Sequence, residues 1–176
     1  APDDAERDLA SVAAVLRTDP TAALTRVIYT ESHDEDANGH ARVPDEIWPG
    51  YADSWPSRKR AALGAALVLT APGIPMLFQG QELVEGEWFT DEDPIDWSRR
   101  HRFAGLLQLH RDLIALRRNG RDTTRGLRGP HIVTHHVDDA EKVLAFHRWL
   151  DGGPRDDVVV AVNLGAEARP DTRVGV

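Results

Sequence analysis

Cysteine is absent from this 176-residue chain, which excludes disulfides and thiolate metal sites. Basic residues are in deficit too. The 21 Lys and Arg stand against 29 Asp and Glu, for a formal net charge of -8, and they are dispersed rather than gathered into the stripe that phosphate backbones require. No nucleic-acid partner is therefore expected. No apolar run approaches the roughly 18 residues that a membrane helix needs, so no membrane partner is expected either. The chain opens at Ala1-Pro2 with neither an initiating Met nor a basic-then-apolar leader, and it reads as an interior piece of a longer, cytoplasmic protein. What it does have is 41% hydrophobic residues, enough to bury a real core.

The apolar positions Leu9, Val12, Ala13 and Leu16 share one helical face, and Pro20 stops propagation. Next, 26–30 is a short β-branched and aromatic run of the kind found in buried parallel strands, and polarity rises at once in 31–36. The segment 36–56, with its Pro and Gly residues, predicts a long ordered loop. Ser57 is the expected cap of a second helix through Leu69, small and apolar on nearly every side and ended by Pro72-Gly73. A second apolar strand, 74–78, leads into the polar turn 79–82, and a second loop runs to Trp97. Ser98 then opens a third helix that closes at Asn119-Gly120. Beyond it, runs at 132–137, 143–149 and 158–163 between glycines and prolines suggest antiparallel strands. Up to residue 119 this is a βαβα repeat, an α/β arrangement with both strands in one parallel sheet. Two strands leave open edges, so others are expected upstream or in a partner, and the isolated chain is expected to associate through 26–30 and 74–78.

Reactive groups in a parallel (β/α)8 barrel collect in the loops after the strands, which is where His33-Asp34 falls. A carboxylate there can accept hydrogen bonds from sugar hydroxyls, and the imidazole can donate or accept one, both strengthening as the ring flattens toward an oxocarbenium ion. A pair that caps or tethers the loop is the other reading of the same residues.

Three segments carry a resemblance. Residues 26–35, ending Glu-Ser-His-Asp-Glu, resemble the strand-seven region of glycoside hydrolase family 13, the α-amylase family, in the version of its α-1,4-glucan branching enzymes. Residues 71–82, with Pro-Gly-Ile-Pro ahead of an apolar strand and Gly-x-Glu, resemble the family's strand-eight segment. Pro94-Ile95-Asp96-Trp97 fits the approach to the last barrel helix. The resemblance implies the C-terminal part of a (β/α)8 TIM barrel over residues 1–120, about strands seven and eight with flanking helices, and part of a C-terminal all-β sandwich over 121–176. It also implies α-1,4-linked glucan as the substrate. Asp34 matches the carboxylate that holds sugar hydroxyls and stabilises the transition state, and His33 matches the hydroxyl-binding histidine beside it. Retention requires a nucleophile and an acid about 5 Å apart across the bond. The resemblance puts them after strands four and five, upstream of Ala1, so the chain alone is expected to be inactive. Asp36 departs from the branching-enzyme pattern, in which an apolar residue follows Glu35. Branching enzyme, α-amylase-type hydrolase and non-catalytic barrel subunit all stay open.

Among other polar residues, Glu82 and Trp88 are candidate substrate contacts, the second through stacking, as are Trp48, Trp55 and Phe89; each also reads as a cap or a loop anchor. His131 and His135 share one strand face and His136 takes the other, without converging carboxylates, so no metal site and no cofactor are expected. The run 91–93 lacks the spaced ligands of a calcium loop, and Asp138-Asp139 reads as a hairpin turn.

Overall fold

The computed structural model describes residues 4–86 and 88–175. In chain order the elements are α1 (Leu9–Leu16), β1 (Val27–Ile28), α2 (His33–Ala37), α3 (Val43–Ile47), α4 (Trp55–Thr70), β2 (Ile74–Pro75), α5 (Arg99–Arg102), α6 (Ala104–Arg117), β3 (His131–Asp138), β4 (Val143–Trp149) and β5 (Val158–Asn163). They divide into two compact units, one of Ala1–Arg26, Thr70–Ile74 and Ala115–Val176, the other of Val27–Leu69 and Pro75–Ile114. Among the described residues no helix is long and apolar enough to cross a membrane.

The first unit is built on an antiparallel sheet in the order β3-β4-β5. The three strands match the expected runs within a residue or two. The register pairs Val133 with His147 and His147 with Val159, with an irregularity between Thr134 and His136. Along β4, Val143 to Phe146 and Arg148 are buried, and only His147 and Trp149 at its far end are half-buried. Helix α1 packs on β3 and β4. Leu9, Ala13 and Leu16 of the expected stripe are buried, and the Asp8 carboxylate caps the helix by accepting from the N–H groups of Ala10 and Ser11. A buried guanidinium must find acceptors, and Arg148 finds them in the carbonyls of Thr70, Leu127, Gly129 and His131. Desolvation, with Arg117 nearby, pulls its pKa down to about 9. Asp138 and Asp139 do form the hairpin turn: Asp138 accepts from Glu141 N–H, and Asp139 also reaches back to Leu9 N–H at 3.0 Å.

In the second unit α4 begins at Trp55, three residues before the expected start. Its cap is Ser54 rather than Ser57, because Ser57 lies a turn inside and donates its own N–H to Ser54 Oγ at 3.3 Å. The small residues of α4 serve close packing as expected, since a Cβ on Gly64 would sit 3.0 Å from Thr30 Cγ2. The loop expected over 36–56 contains part of α2 and all of α3 instead; Pro44 near the first position of α3 suits a helix start. The third helix is broken at Phe103 into α5 and α6, and Ser98 makes no side-chain cap. At the end of α6, Asn119 takes the left-handed conformation and Gly120 N–H returns to Ala115 O at 2.8 Å.

The expected strands 26–30 and 74–78 shrink to two residues each, and Val27 and Ile74 are exposed rather than buried. Each strand has one neighbour, Pro75 supplies no N–H, and among the described residues no further strand covers their outer edges. The described residues therefore show mixed α/β structure with two small sheets, as a part of a larger α/β fold would.

Candidate functional site

Two backbone bonds join the short strands, Ile74 N–H to Arg26 O at 2.7 Å and Met76 N–H to Ile28 O at 2.9 Å. Both partners advance together by two residues, which is parallel pairing. The segments after β1 and after β2 consequently leave at the same end, the end where parallel α/β sheets carry their reactive groups.

After β1 the chain turns into α2. Ser32 is extended and its Oγ accepts from Glu35 N–H at 3.3 Å, so Ser32 performs the capping that the sequence left open to the His33-Asp34 pair. His33 and Asp34 thus occupy the first helical positions with their side chains outward, 63% and 77% exposed, the His33 Nε2 lying 3.0 Å from Asp34 Oδ1. The His33 ring meets Phe89 edge-on with centroids 6.4 Å apart, and Phe89 meets Phe78 in the same manner at 5.3 Å. Through these rings the imidazole of the first loop is placed against the second.

Polar ties lace the loops below that surface. Gln81 Nε2 donates to Thr30 Oγ1 at 2.7 Å, while its Oε1 accepts from Phe78 N–H at 3.3 Å. Arg42 Nη2 donates to Glu31 Oε1 at 3.1 Å and to Gln79 O at 2.8 Å, with the guanidinium 4.1 Å over the Phe78 ring. The second oxygen of Glu31 takes Val43 N–H at 2.7 Å. Both members of this ion pair are buried. Arg99 does similar work further along, donating to Leu83 O, Val84 O and Asp53.

A cavity of about 100 Å³ opens beside these ties, lined by Arg42, Gln79, Trp88, Phe89, Asp93 and Arg99 among others. Enclosed sites for small molecules run to roughly 300–1,000 Å³, so this notch alone is too small to enclose a sugar chain. Trp88 stands 53% exposed at it. Glu82 lies half-buried in the 3₁₀ turn Gln81–Leu83 and is outside the lining. The structure thus brings His33, Asp34 and Phe89 together and sets Trp88 and Phe89 along one cavity, but it does not bring Glu82 to them.

Asp36 is buried, accepts Phe89 N–H through Oδ2 at 2.9 Å, and leaves Oδ1 without a hydrogen-bond partner among the described residues. Burial raises its carboxyl pKa, against the opposing pull of the Phe89 N–H and the Arg42 charge. Its role as anchor of the Phe89 loop, like the pairing of Arg42 with Glu31, had no signal in spacing; Asp36 stood out in the sequence only by replacing an apolar residue. Among the described residues no group of three or more His, Asp or Glu could hold a metal ion.

No family model matches the chain. The 1,4-α-glucan branching enzyme of Thermobifida fusca is 29% identical to it over 157 residues, spanning 82% of this chain and 19% of the relative. That of Nitrosococcus oceani is 30% identical over 154 residues, spanning 82% and 19%. The chain spans about a fifth of the length of these curated relatives. Among solved structures, a type I pullulanase of Bacillus subtilis complexed with maltose superposes with a TM-score of 0.59 at 22% identity, over 78% of this chain and 20% of that one. A pullulanase from Anoxybacillus complexed with maltotetraose superposes with a TM-score of 0.63 at 20% identity, over 92% and 26%. By sequence the chain is related to part of the 1,4-α-glucan branching enzymes, and by fold it is similar to part of the pullulanases and amylases of the α-amylase family, glycoside hydrolase family 13.

Proposed function

We propose that this chain is one segment of a retaining α-glucan enzyme, a 1,4-α-glucan branching enzyme in kind, and that it supplies the carboxylate and imidazole that grip the sugar ring being cleaved. The observation that carries this reading is the exposed Asp34 carboxylate paired with His33 at the sheet end where the loops after β1 and β2 meet. A hydroxyl pair of the sugar would bridge to Asp34 Oδ2 and to the imidazole. As positive charge develops at the anomeric carbon these contacts strengthen, which is where stabilisation raises the rate. Trp88 offers a ring face to a neighbouring sugar, and Glu82 can reach hydroxyls only if its turn moves.

Bond cleavage with retention takes two further carboxylates about 5 Å apart. In the family they follow strands four and five, whereas the resemblance of this chain begins at strand seven. The chain by itself is therefore proposed to bind α-1,4-linked glucan without turning it over. Residues 1–120 would complete the barrel and 121–176 would begin the β-sandwich, in a cytoplasmic enzyme that needs no cofactor. Incubating the complete enzyme with amylose tests the reading. New α-1,6 links are the expected product; reducing ends without branches identify a hydrolase instead, and no change in the amylose leaves a non-catalytic barrel.

A further inference from the structure

Beyond the cavity, Trp48 and Tyr51 stand side by side on the turn after α3, 46% and 61% exposed, with ring centroids 5.2 Å apart and planes inclined by 41°. We infer that this pair is an outer binding position for the glucan, one that takes sugar units leaving the cavity beside Trp88. The inference rests on the glucan reading above.

The turn is built to hold the rings out. Asp45 Oδ1 accepts Gly50 N–H at 2.7 Å, Tyr51 N–H returns to Trp48 O at 2.9 Å, and Gly50 supplies the positive φ of 76° that closes the loop. Two large rings side by side make a contiguous exposed apolar patch, the kind that marks a contact surface. Two inclined faces on a turn that also holds the Asp45 carboxylate suit a chain that offers C–H faces and hydroxyl edges in alternation, and suit an apolar partner poorly.

Continuity with the cavity makes the occupant a glucan. The turn lies so close to the second loop that a Cβ on Gly86 would collide with Ala52 Cβ, and Gly86 is two residues from Trp88. The next residue of the turn, Asp53, takes a hydrogen bond from Arg99, which itself lines the cavity. A glucan seated against Trp88 and running along this seam meets the second aromatic pair. An oligosaccharide too short to run from Trp88 to the pair would not touch it.

Affinity electrophoresis of the purified protein through gels with amylopectin, alongside maltotetraose titration, tests the inference. Replacing both residues by Ala should weaken amylopectin binding about tenfold, the worth of one or two ring contacts, and leave maltotetraose binding unchanged. Substituting Phe at both positions should retain amylopectin binding, while Leu at both should not, which separates stacking from apolar cover. Circular dichroism confirms that each variant is folded. Unchanged amylopectin binding in the Ala variant overturns the inference, as does an equal loss for both ligands. If the unsubstituted protein binds neither glucan, the functional reading fails with it; if it binds both and only the Ala result disappoints, the outer position alone is lost.

Discussion

Arg42 donates to Glu31 at 3.1 Å inside the protein, with both side chains enclosed, and the same guanidinium holds Gln79 O on the other loop. Removing one partner of a buried pair leaves an uncompensated charge. Arg42→Met should therefore destabilise the protein by about 3–5 kcal/mol in urea unfolding, and should open residues 38–53 to proteolysis. Adding Glu31→Gln to that variant should recover part of the loss, because the stranded carboxylate is then neutral. A double variant as unstable as the sum of the two singles would mean the pair does not couple.

Asp36 predicts a pH dependence of stability. Its folded pKa lies above the ordinary 3.8 because burial penalises the carboxylate. Between 3.8 and that raised value the folded state binds more protons than the unfolded state, so stability falls as pH rises through the window. Asp36→Asn removes the titration and can keep the acceptor for Phe89 N–H. The variant should gain stability relative to the parent protein as pH rises from 3.8 past that raised value, whatever constant cost its amide introduces. Thermal unfolding across that range checks this; a gap between the two proteins that does not change with pH contradicts it.

Arg148 meets four carbonyls with one planar group. An ammonium cannot reach all of them, and each carbonyl left buried without a donor costs about 1–3 kcal/mol. Arg148→Lys should lower the melting temperature and speed amide exchange in β3 and β4. Exchange rates equal to those of the unsubstituted protein would show that the carbonyls find other donors.

Much of this architecture is legible in the residues because it follows from local chemistry. Leu9, Ala13 and Leu16 at helical spacing form α1, the apolar and alternating runs after Gly120 form β3 to β5, and Asn119-Gly120 ends α6. Where reading fails, a distant partner decides. The acidic start His33-Asp34-Glu35-Asp36 becomes helical because Ser32 caps it, and Asp36 goes inside because Phe89 N–H is there to meet it. The two short strands are narrower and more exposed than their β-branched runs suggest, since strand extent depends on neighbours. At the candidate site, the position of His33 and Asp34 just after the first strand is legible in the sequence, but Arg42 is one cation among 21 Lys and Arg, and nothing in its neighbours announces a partner eleven residues back and a carbonyl thirty-seven ahead.

The central claim is that Asp34 stabilises the transition state of glycosidic cleavage, and turnover by the complete enzyme with Asp34→Asn addresses it most directly. Because the proposed contacts grow as the sugar ring flattens, kcat on amylose should fall about a hundredfold or more while glucan affinity changes little. Near-normal kcat in a folded Asn variant would contradict the account.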